Sequence, residues 1–252
     1  MTALLTAEGL SAGYAGQAVV RDLHIEVRAG EVVVLLGPNG AGKTTTLLTL
    51  SGVIPTVRGT VSIGGVATRA SAHKRARMGL AFVPDERAIF RTLSLRDNLR
   101  LGRGDIDAAL AMFPELVPRL TTRAGLLSGG EQQMVALSRA LSRNPKVLLV
   151  DELSLGLAPL IVKRLLRAIR EQADSGLGVL LVEQHVSAIL DVADRAYVMR
   201  RGSVVLSGSG SEIRERLHEV EDAYLAQDTS DPANGAKLGS APCVRGPLPP
   251  RW

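Results

Sequence analysis

The sequence predicts an α/β fold, on three observations. The apolar run Glu31-Val-Val-Val-Leu-Leu36 passes directly into Gly37-Pro-Asn-Gly-Ala-Gly-Lys-Thr44. That is a buried strand, a Gly-rich turn and a helix start. Two later apolar runs, Val147–Val150 and Val179–Val182, alternate with helical segments at Leu160–Asp174 and Ser187–Ala193, the pattern of βαβ units. The remaining apolar runs are strand-sized, far short of the roughly 18–20 residues that span a bilayer.

The elements follow in order. Ala3–Glu8, Val20–Val27 and Val32–Leu36 read as antiparallel and mixed strands, with a turn at Ala29-Gly30. Lys43–Ser51 is a helix. Gly59–Ile63 is a strand entering a Gly64-Gly65 turn. Ala72–Met78 is a polar helix and Leu80–Val83 a short buried strand. Residues 86–126 hold short helical pieces broken by Gly102, Gly104, Pro114 and Pro118, and Ser94-Leu-Arg-Asp97 has the form of a capped helix start. Gln132–Ser142 continues as a helix after Gly129-Gly130. Beyond the βαβ alternation, Ala196–Met199 and Ser203–Leu206 form a hairpin around Arg201-Gly202, and Glu212–Leu225 is an amphipathic helix. Asp228–Trp252 is rich in Pro, Gly, Ala and Ser without period, and is expected to be disordered.

Composition sets limits. At 252 residues the chain suits one large α/β domain or two lobes. Apolar residues make up 46% but aromatics only 3%, so the core must come from Leu, Val, Ile and Ala. The N-terminus lacks the basic and apolar regions of a secretory signal. Cys243, the single cysteine, has no internal disulfide partner, which suits the cytosol. The net charge of +5 raises nucleic-acid binding. Dispersed basic residues and scarce stacking aromatics argue against it, so no nucleic-acid partner is expected. Docking beside anionic lipid head groups is equally compatible with the charge.

The chemistry begins at the Gly-rich turn, which is a nucleotide-triphosphate-binding P-loop. Glycines 37, 40 and 42 let the backbone bend and aim its N–H groups at phosphate oxygens. Pro38, Asn39 and Ala41 complete the loop, and Thr45 continues the helix that adds partial positive charge at its start. Lys43 supplies a point charge for the β- and γ-phosphates, and the Thr44 hydroxyl can ligate Mg²⁺.

A second motif decides which chemistry follows. Residues 127–133 read Leu-Ser-Gly-Gly-Glu-Gln-Gln, and about twenty residues later comes Val147-Leu-Leu-Val-Asp-Glu152. From about Leu5 to Gln227 the chain resembles the ATP-binding cassette (ABC) ATPases. The resemblance implies a P-loop NTPase core of ABC type with a mixed sheet, an antiparallel β subdomain and a short helical subdomain near residues 86–142. The cassette would span 1–227 and the tail 228–252.

The same resemblance implies roles. Asp151 holds Mg²⁺ directly or through water, and Glu152 polarises the attacking water as general base. His185, in Leu-Val-Glu-Gln-His, matches the switch histidine that contacts the γ-phosphate. Tyr14, in Gly-Tyr-Ala-Gly, matches the aromatic that stacks on adenine. Ser128, Gly129 and Gly130 would cap the γ-phosphate of ATP on a facing subunit. A lone protomer would then lack a complete site, and the working unit would be an ATP-dependent head-to-tail pair.

Three positions depart from the family pattern. Asp85, in Val-Pro-Asp, stands where Gln or Glu is usual and is a candidate metal contact. Leu153 replaces a proline, and Ala158 replaces an aspartate of the inter-subunit loop. These departures question coupling more than ATP binding. Three strings, Leu-Ser-Gly-Gly-Glu-Gln-Gln-Met (127–134), Ser-Leu-Gly-Leu-Ala-Pro (154–159) and Leu-Val-Glu-Gln-His (181–185), look like the smaller ATPase of branched-chain amino-acid importers. Urea or short-chain amide importers have very similar subunits. The implied partners are a second ABC ATPase subunit, two permease subunits and, indirectly, a periplasmic-type solute-binding protein, at the cytoplasmic face of the membrane. A soluble ABC ATPase of DNA repair or ribosomes is the competing class, though neither a second cassette nor a coiled-coil insertion is present. A metabolic P-loop kinase leaves Leu-Ser-Gly-Gly-Glu without account.

Overall fold

The computed structural model describes residues 3–184 and 186–225. His185 and the expected tail 228–252, with Cys243, lie outside the described residues. The chain runs β1 (Ala3–Tyr14), β2 (Gln17–Arg28), β3 (Val32–Leu36), α1 (Lys43–Ser51), β4 (Thr56–Ile63), β5 (Val66–Ala67), α2 (Ala72–Arg77) and β6 (Leu80–Val83). Next come α3 (Leu95–Leu101), α4 (Ile106–Met112), 3₁₀ turns at Pro114–Arg119 and Ala124–Leu126, and α5 (Gly129–Leu141). The last third holds β7 (Val147–Asp151), α6 (Pro159–Asp174), β8 (Gly178–Glu183), α7 (Val186–Ile189), β9 (Arg195–Arg200), β10 (Ser203–Ser209), α8 (Gly210–Glu215) and α9 (Leu217–Leu225).

Two sheets form. A four-stranded antiparallel sheet has the order β2-β1-β4-β5, and a six-stranded sheet has the order β10-β9-β3-β8-β7-β6. In the larger sheet, β6, β7, β8, β3 and β9 run parallel and β10 pairs antiparallel with β9. This is the expected mixed sheet with an antiparallel companion. Every residue of β3, β7 and β8 is buried, as parallel strands covered on both faces require.

The period of two explains how one strand serves two cores. Val32, Val34 and Leu36 pack on the side that holds Val135 of α5 and Ile169 of α6. Val33 and Leu35 face Leu10 of β1, Leu23 of β2 and Leu47 of α1. The P-loop at the end of β3 is thus carried by a strand fixed from both faces.

Several expected boundaries shift. β1 runs to Tyr14 rather than ending at Glu8 because its alternating buried face continues through Leu10 and Ala12. The helix expected at Ser187–Ala193 is the single turn α7. Asp194 draws the chain away: its N–H donates to the Val32 carbonyl (2.8 Å), and its carboxylate accepts from the Val32 N–H (2.7 Å) and Arg170 (2.8 Å). The amphipathic helix expected at Glu212–Leu225 is two helices that break at Arg216 (φ −105°, ψ 26°). Ile213 and Val220 are both fully buried across that break, so the hydrophobic period alone does not register it. Ser94 caps α3 as expected, accepting from the Asp97 N–H at 3.1 Å.

Candidate functional site

The P-loop is built by close backbone packing. A Cβ on Gly37 would lie 2.4 Å from the Met199 carbonyl oxygen at the end of β9. Gly42 has φ 103°, a conformation L side chains rarely adopt, and a Cβ there would meet Val20 and Met199. The turn of the β9–β10 hairpin braces the loop from outside: the Gly202 N–H donates to Ala41 (2.9 Å), and the Gly202 carbonyl accepts from Arg21 (2.8 Å). Lys43 is buried, and its ammonium donates back to the Gly37 (2.8 Å) and Pro38 (3.0 Å) carbonyls. Burial lowers its pKa, opposed by Glu152, Asp151 and Glu183. Asn39, Gly40 and Thr44 are exposed at the surface of the loop, whereas Thr45 is buried and its carbonyl accepts from Thr49.

The acidic side converges on the same place. Asp151 ends β7 and is 1% exposed, and its Oδ1 has no hydrogen-bond partner. Burial raises its pKa to about 6, relieved by the Thr44 hydroxyl and worsened by Asp85 and Glu152. Asp85 itself is exposed and accepts from the Glu86 N–H at 2.8 Å. Its influence on Asp151 is electrostatic. Among the described residues no group of three or more His, Cys, Asp or Glu could hold a metal alone. A cation here would need phosphate oxygens to complete its shell, which is how Mg²⁺ is commonly held. The orphaned Asp151 oxygen beside the Thr44 hydroxyl fits that demand.

Glu152 follows with φ 45°, a left-handed conformation for a residue with a side chain, and its N–H donates to Val182 at 2.9 Å. Such strain costs of order 1–3 kcal/mol and clusters at functional sites. Leu153, the departure from proline, is 1% exposed and sits in the helical-side core. Ala158 is the N-cap of α6 and supplies no side-chain cap.

Ser128 opens α5 in a capping box. Its Oγ accepts from the Glu131 N–H (3.3 Å), while the Ser128 N–H donates to the Glu131 carboxylate (2.8 Å). Capping uses a lone pair of the exposed hydroxyl. At Gly130 a Cβ would come within 2.7 Å of Ile161, so the start of α5 packs tightly on α6. Tyr14 is 50% exposed at the end of the β1–β2 hairpin. Val19 and Val20 of the same hairpin lie against the P-loop.

The structure also pairs residues to which the motifs give no role. Glu183, 1% exposed at the end of β8, accepts from the Ser154 N–H (2.9 Å) and hydroxyl (2.8 Å). Arg87 donates to Gln132 of α5 at 3.2 Å, bridging the loop after β6 to the capped helix. A local sign of the second pairing was the Glu-Gln-Gln run; nothing local marked the first.

The comparisons with known proteins agree with this fold. The ABC transporter family model matches residues 20–154. The high-affinity branched-chain amino acid transport ATP-binding protein BraG of Pseudomonas aeruginosa is 38% identical over 232 residues, covering 88% of this chain and 99% of BraG. The lipopolysaccharide export system ATP-binding protein LptB of Escherichia coli K12 is 40% identical over 238 residues, covering 90% and 98%. A solved ATP-binding subunit of an ABC transporter superposes with a TM-score of 0.76 at 29% identity, covering 88% of this chain and 98% of that one. With its P-loop, its buried Asp151 and its capped Ser128 helix on one such scaffold, this chain belongs to the ABC transporter family as an ATP-binding subunit, an ATPase.

Proposed function

We propose that this chain powers a membrane importer of branched-chain amino acids, hydrolysing Mg²⁺-bound ATP at the cytoplasmic face. The observation that carries the reading is the Ser154–Glu183 pairing. It joins two of the three strings that resemble branched-chain importer ATPases, in a chain 38% identical to BraG along nearly its whole length.

The roles we assign are these. Lys43 and the P-loop amides hold the phosphates. Thr44 and Asp151 hold Mg²⁺, which would neutralise charge on the β- and γ-oxygens, with Asp85 near enough to bias Asp151. Glu152 orients and deprotonates the attacking water, His185 contacts the γ-phosphate, and Tyr14 stacks on adenine. The Ser128 hydroxyl and the amides of Gly129 and Gly130 serve the ATP of a facing cassette. Leu126, Leu155 and Leu160 are exposed beside these segments and suit burial in such a pair.

ABC ATPase subunits work with membrane permeases. Here the docking place we favour is a groove of about 640 Å³ between the edge strand β6 and α5, lined in part by Arg77, Arg87, Phe90, Arg139 and Arg143. An occupant would touch both the strand that leads to Asp85 and the helix that Ser128 caps. Among the described residues no helix is long and apolar enough to cross a membrane, so attachment would be through such a partner.

A second reading is export of lipopolysaccharide, favoured by 40% identity to LptB. Reconstitution with the permeases and solute-binding protein of a branched-chain amino-acid importer decides. Leucine, isoleucine or valine should stimulate ATPase activity and be taken up. Stimulation by urea or a short amide would move the substrate class, and stimulation by lipopolysaccharide would replace import with export. Full activity without any permease would favour a non-transport ABC ATPase.

A further inference from the structure

The C-terminal helix reaches the nucleotide site. Val220 of α9 is fully buried, and Tyr224 in its last turn packs against the helical-side core. The Tyr224 hydroxyl donates to the Gln184 carbonyl at 3.3 Å. The Gly37 amide, at the first residue of the P-loop, is near enough to the phenol to favour its ionised form. Gln184 follows Glu183, which the Ser154 N–H and hydroxyl hold from the other side, and it immediately precedes His185. The root of the switch segment is therefore gripped between the loop after Glu152 and a tyrosine 40 positions away in sequence.

Packing alone would ask only for the ring. A buried phenol does seek a partner, but this one donates to the carbonyl of the residue that directly follows β8, which Ser154 holds from its other side through Glu183. Burial pushes its pKa up to about 12 against the opposing Gly37 amide. The hydroxyl therefore keeps its proton, and its donor role, throughout the physiological range.

We propose that Tyr224 is a positioning residue for ATP hydrolysis: its hydroxyl holds the Gln184 carbonyl and so fixes the start of the switch segment to the C-terminal helix. The inference rests on the reading of His185 as the γ-phosphate contact. It makes the C-terminal helix part of the hydrolytic apparatus. Displacing α9 would slow turnover without occupying the nucleotide site.

The test is Tyr224→Phe in the full chain, assembled with its transporter partners. The ring stays and one hydroxyl goes. Expected are a kcat lower by about tenfold, a KM for ATP within about twofold of wild type and an unchanged melting temperature. Hydrogen exchange in a peptide covering residues 183–190 should speed up in the nucleotide-free protein. Unchanged kcat, unchanged exchange in that peptide, or a loss accounted for by a lower folded fraction each overturns the proposal. His185→Ala is the companion variant. If it hydrolyses ATP at the wild-type rate, the switch reading fails, while the exchange result on Tyr224→Phe still decides the tether on its own.

Discussion

Asp151 shows what a phosphate site asks of single residues. Its carboxylate is buried with one oxygen unpartnered and a pKa raised to about 6. A carboxyl raised in the folded state destabilises wherever it is ionised there. The penalty is absent below the unfolded pKa near 4, grows between about pH 4 and 6, and is complete above about 6. Asp151→Asn should therefore stabilise the nucleotide-free protein at pH 8, by an amount of order 3 kcal/mol at most. The advantage should shrink as pH falls through 6 and vanish near 4. Denaturant titrations across pH check this, and a pH-independent difference would contradict it. Glu152 is held at φ 45° beside it. Glu152→Gln should keep ATP affinity and slow hydrolysis by roughly 10²–10⁴-fold, the usual loss with a general base. Single-turnover hydrolysis near the wild-type rate would remove it from the mechanism.

At the scale of elements, helix ends decide how firmly the site is carried. The C-terminus of α1 is capped by a side chain from α2. Buried Arg75 donates to the Thr49 (2.8 Å) and Leu50 (2.7 Å) carbonyls and to Ala70 (2.8 Å). No ion pair with a carboxylate accompanies it among the described residues. The guanidinium answers the negative end of the helix dipole instead. Arg75→Met would leave the Leu50 and Ala70 carbonyls without their side-chain donor, while Thr49 keeps the Gly52 N–H (3.1 Å), and should cost about 3 kcal/mol, read as a lower chemical-denaturation midpoint. α6 offers the opposite case. Its N-cap Ala158 gives no side-chain bond although Pro159 is well placed at the first helical position. Ala158→Asp should add about 1 kcal/mol and raise the melting temperature by about 2–4 °C. No rise would show that the N–H groups at this end are already satisfied.

The whole molecule is half of a machine on the composite-site reading. Ser128 caps its own helix but is exposed, away from its own core. The chain alone should be mostly monomeric and a weak ATPase, and the second cassette with the permeases should raise turnover. Ser128→Arg places a bulky cation where a small donor would face the γ-phosphate. It should abolish most hydrolysis at the site whose P-loop belongs to the partner cassette. The assay uses assembled complexes in which only one of the two P-loops is intact. Activity that survives with only the partner's P-loop working would refute the composite site for this protein.

Local sequence determined the motifs whose members lie within a few positions of one another. The P-loop after Val32–Leu36, the Ser94 cap and the Arg201-Gly202 turn were all legible, because backbone geometry and short-range hydrogen bonds dictate residue types at fixed offsets. The break at Arg216 was not, since Ile213 and Val220 keep the same buried side across it. Leu153 read as a departure from pattern, and only packing showed it to be a core side chain. Arg75 with Thr49, Ser154 with Glu183 and Tyr224 with Gln184 meet across 26, 29 and 40 positions. No period or spacing encodes such pairs. Side chains with donors can reach many carbonyls, and it is the stacking of the two sheets and their helices that brings one particular partner within hydrogen-bond distance.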